Sequence, residues 1–181
     1  MNTWIKSAWT DAAQIVGLMD AEADTGPAAG RSLPDWFAGL IAAQDYAAAL
    51  KFLAHAMSRY DCIVWAARTV FETGMADRGD PRLTATLRWI DNPENDEVRR
   101  DAGELAEQVA ATSPGKLLAH AVFFSGGSIA PPQYPALQPA PDVCSKFAYS
   151  AILIGAYTLP DPQAAMRQAL NLGEAMISGK G

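Results

Sequence analysis

Charge is scarce in this chain: of its 181 residues only 19% are Asp, Glu, Lys or Arg, against 50% that are hydrophobic. That balance excludes a disordered chain and leaves a globular one. Basic residues are the scarcer sign, 14 against 20 acidic, for a formal net charge of −6. Binding to nucleic acid or to an anionic membrane relies on concentrated Lys and Arg, so neither is expected. Half of the basic residues do fall between Arg59 and Arg100, but Asp and Glu are interleaved among them, as on a paired, solvated surface.

Cysteine and histidine are rarer still. Cys62 and Cys144 are the two cysteines, too few for a disulfide framework and in no metal-ligand spacing. Both are expected as reduced core residues of a cytoplasmic protein. Any histidine acid, base or ligand has to be His55 or His120. Neither an HExxH nor a Cys-pair motif accompanies them, so no metal and no cofactor is expected, and each reads as a core or boundary residue. The opening MNTWIKSAWTDAAQ lacks an apolar stretch of secretory length, and neither a signal peptide nor a membrane anchor is expected. Residues 117–141 carry no charge, but a glycine pair and several prolines forbid a continuous spanning helix there.

β-branched runs and extended apolar/polar alternation are also missing, while Ala and Leu dominate the apolar stretches. That combination predicts helices. The length suits one domain over residues 1–181, with a flexible Gly/Pro linker near 22–32 (ADTGPAAGRS) as the one composition break of the first half. The fold expected is all-α: a compact bundle of antiparallel helix pairs with an extended proline-rich loop before the penultimate helix. Ser32 with Pro34 and Asp35, Asn92 with Pro93, and Ser113 with Pro114 mark helix starts by a capping side chain and an early proline. DCIVWAARTVFETGM, around Trp65, is apolar on nearly every side and is expected at the centre, as is FAYSAILIGAY. Trp89 lies on the helix that ends before Asn92, and it and Trp65 are candidates for structural or interaction roles.

Three features invite a chemical reading. Arg68 sits within the apolar WAARTVFE run with Glu72 four residues on. A guanidinium buried there would need a paired carboxylate, or would open a pocket for an acidic ligand. Ser125, Gly126, Gly127 and Ser128 form a turn whose amides could face an anion. It lacks the lysine of a phosphate-binding loop and the GxSxG order of a hydrolase elbow, so a helix stop is the plainer reading. The prolines at 131, 132, 135, 139 and 141 favour extended geometry. Because Ile129, Tyr134 and Leu137 are mixed among them, this strap is expected to pack on the domain itself, with Trp4, Trp9 and Trp36 as candidates to receive it or a partner. An exposed strap would instead fit a partner's groove. The neighbouring acids Asp91, Glu94 and Asp96 read as helix-start charges rather than a catalytic carboxylate site.

Several stretches taken together resemble an uncharacterised family of bacterial helical proteins defined by a domain of unknown function. They are YAAALKFLAHAM followed by WAAR, then RWIDNPENDEVRRDAGELAE, then SPGKLLAHAVFFSGGSIAPPQYPALQPAP running into FAYSAILIGA, from about Trp36 onward. The resemblance implies a small bacterial protein, some of whose relatives lie in type VI secretion gene neighbourhoods, and it supplies no catalytic residues. The function expected is a non-enzymatic interaction or adaptor protein with an unidentified protein partner. The alternative is a small-ligand or anion-binding domain using Arg68 and the 125–128 turn.

Overall fold

Capping side chains decide where most of this chain becomes helical. The structure, a computed structural model, describes residues 3–180. Asp11 starts α1 (Ala12–Met19), Ser32 starts α2 (Leu33–Ala42), Asp45 starts α3 (Tyr46–Ala56) and Ser58 starts α4 (Arg59–Thr73), each accepting from a free first-turn amide. Asp80, Asn95 and Ser113 do the same for α5 (Pro81–Asp91), α6 (Asp96–Glu107) and α7 (Pro114–Phe123). Asp161 caps α9 (Pro162–Ile177), whereas α8 (Val143–Ala156) follows Asp142 without a side-chain cap bond. Each cap contributes about 1 kcal/mol. Among the described residues there is no strand, so the fold is all-α.

One expected boundary shifts. α6 begins after Asn95, not at Asn92 and Pro93, because the Asn95 side chain takes the amides of Glu97 and Val98. Asn92 instead closes α5, its amide donating to the Trp89 carbonyl.

α8 packs on α3, α4, α7 and α9, and α4 on α5, α7, α8 and α9, so these two apolar helices form the centre. Trp65, Phe52, Leu50, Leu53, Ile63, Leu118 and Ile152 are sealed there, together with both cysteines, which are free thiols. Burial raises both thiols, Cys144 to about 12, which keeps them protonated and unreactive at neutral pH. Residues 22–32, expected as a linker, contain a 3-10 turn (Gly26–Ala28) with Ala28 buried. Hydrogen bonds from Ala12 to the Arg31 carbonyl and from Gly30 to the Asp11 carboxylate tie this segment to the start of α1.

α7 and α8 make the most extensive helix contact in the molecule. The residues between them therefore have to loop outside the pair. No helix among the described residues is long and apolar enough to cross a membrane.

Candidate functional site

The sequence of α6 sets up an unusual face. Arg99, Ala102, Gly103 and Ala106 recur at helical spacing and are all buried, while the acids of the helix are exposed. Gly103 lets α7 approach closely: a Cβ there would sit 2.6 Å from the ring of Phe123. At the head of this small-residue face stands Arg99, whose side chain is only 5% exposed. Its guanidinium donates to the carboxylate of Asp96, to the Phe123 carbonyl and to the Ser128 carbonyl, and lies 5.2 Å from the Phe123 ring centre. Arg100 adds bonds to the other Asp96 oxygen, to the same Ser128 carbonyl at 2.9 Å and to the Ala130 carbonyl at 3.2 Å. Arg59, from the first turn of α4, donates to the Ser125 carbonyl. The two arginines beside it hold the Asp96 carboxyl below its ordinary value, first through Arg100 and then through Arg99.

Three arginines thus hold the exit of α7. The helix ends in a pair of tight turns, with the Phe124 amide on the His120 carbonyl and the Ser125 amide on the Val122 carbonyl, and Gly127 takes a left-handed φ of +64°. The hydroxyl of Ser128 accepts from the amides of Ala130 and Leu137. Together with the Ile129 amide donating to the Leu137 carbonyl at 2.8 Å, this closes residues 128–137 into a loop whose ends touch. A further turn bond runs from the Tyr134 amide to the Pro131 carbonyl.

The strap is not laid on the core. Residues 131–138 are exposed throughout, with Tyr134 at 62% and Leu137 at 58%, while Ile129 is half-buried and Pro139 buried. The expectation that Tyr134 and Leu137 bury against the domain is therefore overturned. The loop satisfies its backbone locally and through arginines, and the α7–α8 contact keeps it outside that helix pair.

Beside the strap lies a cleft of about 510 Å³. Gly103, Glu104 and Glu107 of α6, His120 and Phe123 of α7 with Phe124 just beyond it, and Ile129, Pro131 and Pro132 of the strap line it. Behind them the rings of His120 and Phe124 stack on Phe147, at 4.9 and 5.4 Å between centres. The Glu107 carboxylate stands 3.6 Å from Nε2 of His120. Burial pulls this imidazole below its ordinary value and outweighs the opposing pull of Glu107. A neutral imidazole next to a carboxylate has acid and base capacity, but among the described residues no Ser, Thr, Cys or Lys side chain lines the cleft to act as nucleophile.

A model of a family of unknown function, DUF6931, matches residues 36–177. The chain belongs to this family. No curated protein and no solved structure matches it. The span shared with DUF6931 contains the arginine clamp, the strap and the cleft in full. It leaves out α1 and a second cleft of about 510 Å³ that Trp4, Trp9, Leu33 and Pro34 help to line.

The residues singled out from sequence scatter through the fold. Arg68 is on the surface, its side chain 51% exposed and paired to Glu72 at 2.7 Å, so the buried guanidinium expected there does not exist. Arg59, Arg99 and Arg100 are the arginines that reach the turn made by Ser125, Gly126, Gly127 and Ser128, and the structure does not bring Arg68 to it. Trp65 and Trp89 are both core residues, Trp89 packing at 5.9 Å from the ring of Tyr60. Trp4 is buried and Trp9 and Trp36 half-buried. Asp91 and Glu94 are exposed and Asp96 serves the clamp. Sequence reasoning missed Arg99 and Arg100, whose signal was the small-residue face that follows them.

Burial has a consequence for pH. His55 is enclosed in the core, with Nδ1 2.7 Å from the Lys51 carbonyl, so Nδ1 carries the proton and Nε2 has no hydrogen-bond partner among the described residues. Desolvation lowers its pKa, as it does for His120, from an ordinary value near 6.5. The unfolded chain therefore takes up these protons first as pH falls. Stability from both groups is complete above about pH 6.5 and is lost below it, at no more than about 1.4 kcal/mol per pH unit for each histidine. Urea midpoints should drop between pH 7 and pH 5.5, and the drop should shrink in His55→Gln, whatever that variant's absolute stability. An unchanged slope in the variant would show that His55 is not one of the groups responsible.

Proposed function

We propose that the chain is a non-enzymatic interaction protein that engages a partner protein through the strap and the cleft beside it. One observation carries this reading: an exposed loop presenting Tyr134 and Leu137 is fixed by guanidiniums of which one is almost wholly withdrawn from water. Taking an arginine out of water is costly, and an ordinary connecting loop does not need it. A segment held in one conformation before it binds loses less entropy on docking, which is the advantage of a preorganised, proline-rich ligand. The setting we propose is an accessory role in a bacterial assembly, type VI secretion being the one the sequence resemblance suggests. The anion-binding alternative has less support, because Arg68 faces Glu72 and the cations at the turn are engaged by its carbonyls.

Co-purification from a bacterial host that naturally carries the chain tests the reading. The wild-type protein and a Tyr134→Ser/Leu137→Ser variant are compared as baits. Both side chains are largely exposed, so the variant should fold normally. A partner retained by the wild type and lost by the variant is the expected result. Identical retention by both baits sinks the proposal.

A further inference from the structure

We infer that the cleft beside the strap receives a basic, apolar segment of the partner chain, with a Lys or Arg side chain against Glu104 and Glu107 and its apolar neighbour against Phe123 and Phe124. This rests on the interaction reading above and specifies the chemistry of the partner. Three observations select the occupant.

The first is charge. Arg100 is the cation lining the cleft, and its guanidinium is engaged by Asp96 and by the Ser128 and Ala130 carbonyls. Lys116, one turn before His120, has its ammonium on the Val109 carbonyl. Glu104 is exposed and has no ion-pair partner among the described residues, and Glu107 faces only His120, which burial keeps uncharged at neutral pH. The cleft therefore presents two carboxylates that no Lys or Arg among the described residues answers with an ion pair. A cation supplies that answer and an acidic or neutral ligand does not.

The second is the aromatic lining. Phe123 already takes the Arg99 guanidinium against its ring from inside the protein, and the linked rings of Phe123, Phe124, Phe147 and His120 form one continuous aromatic group. A cationic side chain gains from both the carboxylates and the ring faces.

The third is extent. A volume of about 510 Å³ accommodates one or two side chains. Leu137, whose carbonyl takes the amide of the cleft-lining Ile129, and Tyr134 add exposed apolar side chains on the same strap, which a small cation would not use. A second copy of the chain is the wrong partner, since each copy carries a net charge of −6 and the strap from 123–141 holds no basic residue.

Selection from a random-peptide display library, followed by fluorescence anisotropy on the enriched peptides, tests the inference. Wild type, Glu104→Gln/Glu107→Gln and Leu137→Ser are compared, all changes being at exposed side chains. The expected outcome is a set of peptides carrying Lys or Arg beside an aromatic or aliphatic residue. Their affinity should fall about tenfold in the double Gln variant and should weaken as salt is raised. Peptides that bind the strap, lose affinity in Leu137→Ser and are indifferent to the double Gln variant would overturn the basic-segment inference while leaving the interaction reading intact. Binding indifferent to all the changes, or a selection that enriches nothing, also overturns the inference, and the co-purification experiment then judges the interaction reading on its own.

Discussion

Arg99→Met is expected to lower the unfolding free energy by about 2–4 kcal/mol and to free the strap from the body of the protein. Met fills much of the volume of the arginine stem but donates nothing. The Phe123 carbonyl, part-buried, then loses its side-chain donor, and an acceptor withdrawn from water and left without a partner costs up to about 1–3 kcal/mol. The charge-assisted bond to Ser128 is lost as well, although Arg100 still reaches that carbonyl. The carboxylate left behind belongs to Asp96, whose side chain is 58% exposed, so no charge is stranded in the core and the cost stays below that of breaking a fully buried pair. Arg99→Lys should recover only part of the loss, because one ammonium cannot reproduce the planar fork that reaches Asp96, Phe123 and Ser128 together. Arg68→Met is the control: its ion pair is half exposed, and the change should stay within about 0.5 kcal/mol. Urea denaturation gives the energies and amide hydrogen exchange across 123–139 reports the loop. Equal effects of the Arg99 and Arg68 changes would mean that the clamp holds nothing.

Those two arginines also show why the helices could be read from sequence and the site could not. The WAARTVFE run of α4 looked apolar, so Arg68 within it was expected in the interior. Yet Asp61, Val64, Arg68 and Glu72 follow one another at helical spacing and form a single narrow stripe facing solvent. α6 is rich in charge, and its arginines follow an acid by one turn, the spacing of an ordinary surface pair. Their decisive partners are carbonyls at positions 123, 128 and 130, which only the docking of α6 on α7 brings within reach. Local periodicity reports which face is apolar, but not which backbone carbonyls the fold will leave needing a donor. The run Ala102, Gly103, Ala106 was the local clue that this face meets another helix closely, and an arginine at its head is buried with it.

The strap failed for a related reason. Ile129, Tyr134 and Leu137 are apolar, and apolar residues between two core helices suggest further core. Because α7 and α8 already pack on one another, the strap lies outside that pair rather than between its helices, and Ser128 folds it back on its own backbone. The caps, by contrast, were legible because each acts on amides two or three residues away. Ser32 and Ser113 each take one, and no knowledge of the tertiary fold is needed to see it.

Trp65→Ala is expected to destabilise the domain by about 3–5 kcal/mol, the range for removing a large aromatic side chain from a packed core. For a chain of this length each kcal/mol is roughly 2–4 °C in Tm, measurable by calorimetry. Trp65 is fully buried in α4, and its Nε1 donates to the Ala169 carbonyl of α9 at 2.8 Å. One turn further along α9, a Cβ on Gly173 would stand 2.7 Å from that same Nε1 and 2.6 Å from Cδ2 of Leu53. The glycine therefore exists to admit the indole, and the two positions should be coupled. Gly173→Ala alone should cost about 1–3 kcal/mol through overpacking. Trp65→Phe alone should cost the hydrogen bond and part of the buried area. In the Trp65→Phe background the alanine meets a smaller ring, so its penalty should shrink, giving a favourable interaction term of about 0.5 kcal/mol or more in the double-mutant cycle. Strict additivity would instead assign the Gly173 penalty to Leu53 alone and remove the indole as the reason for the glycine.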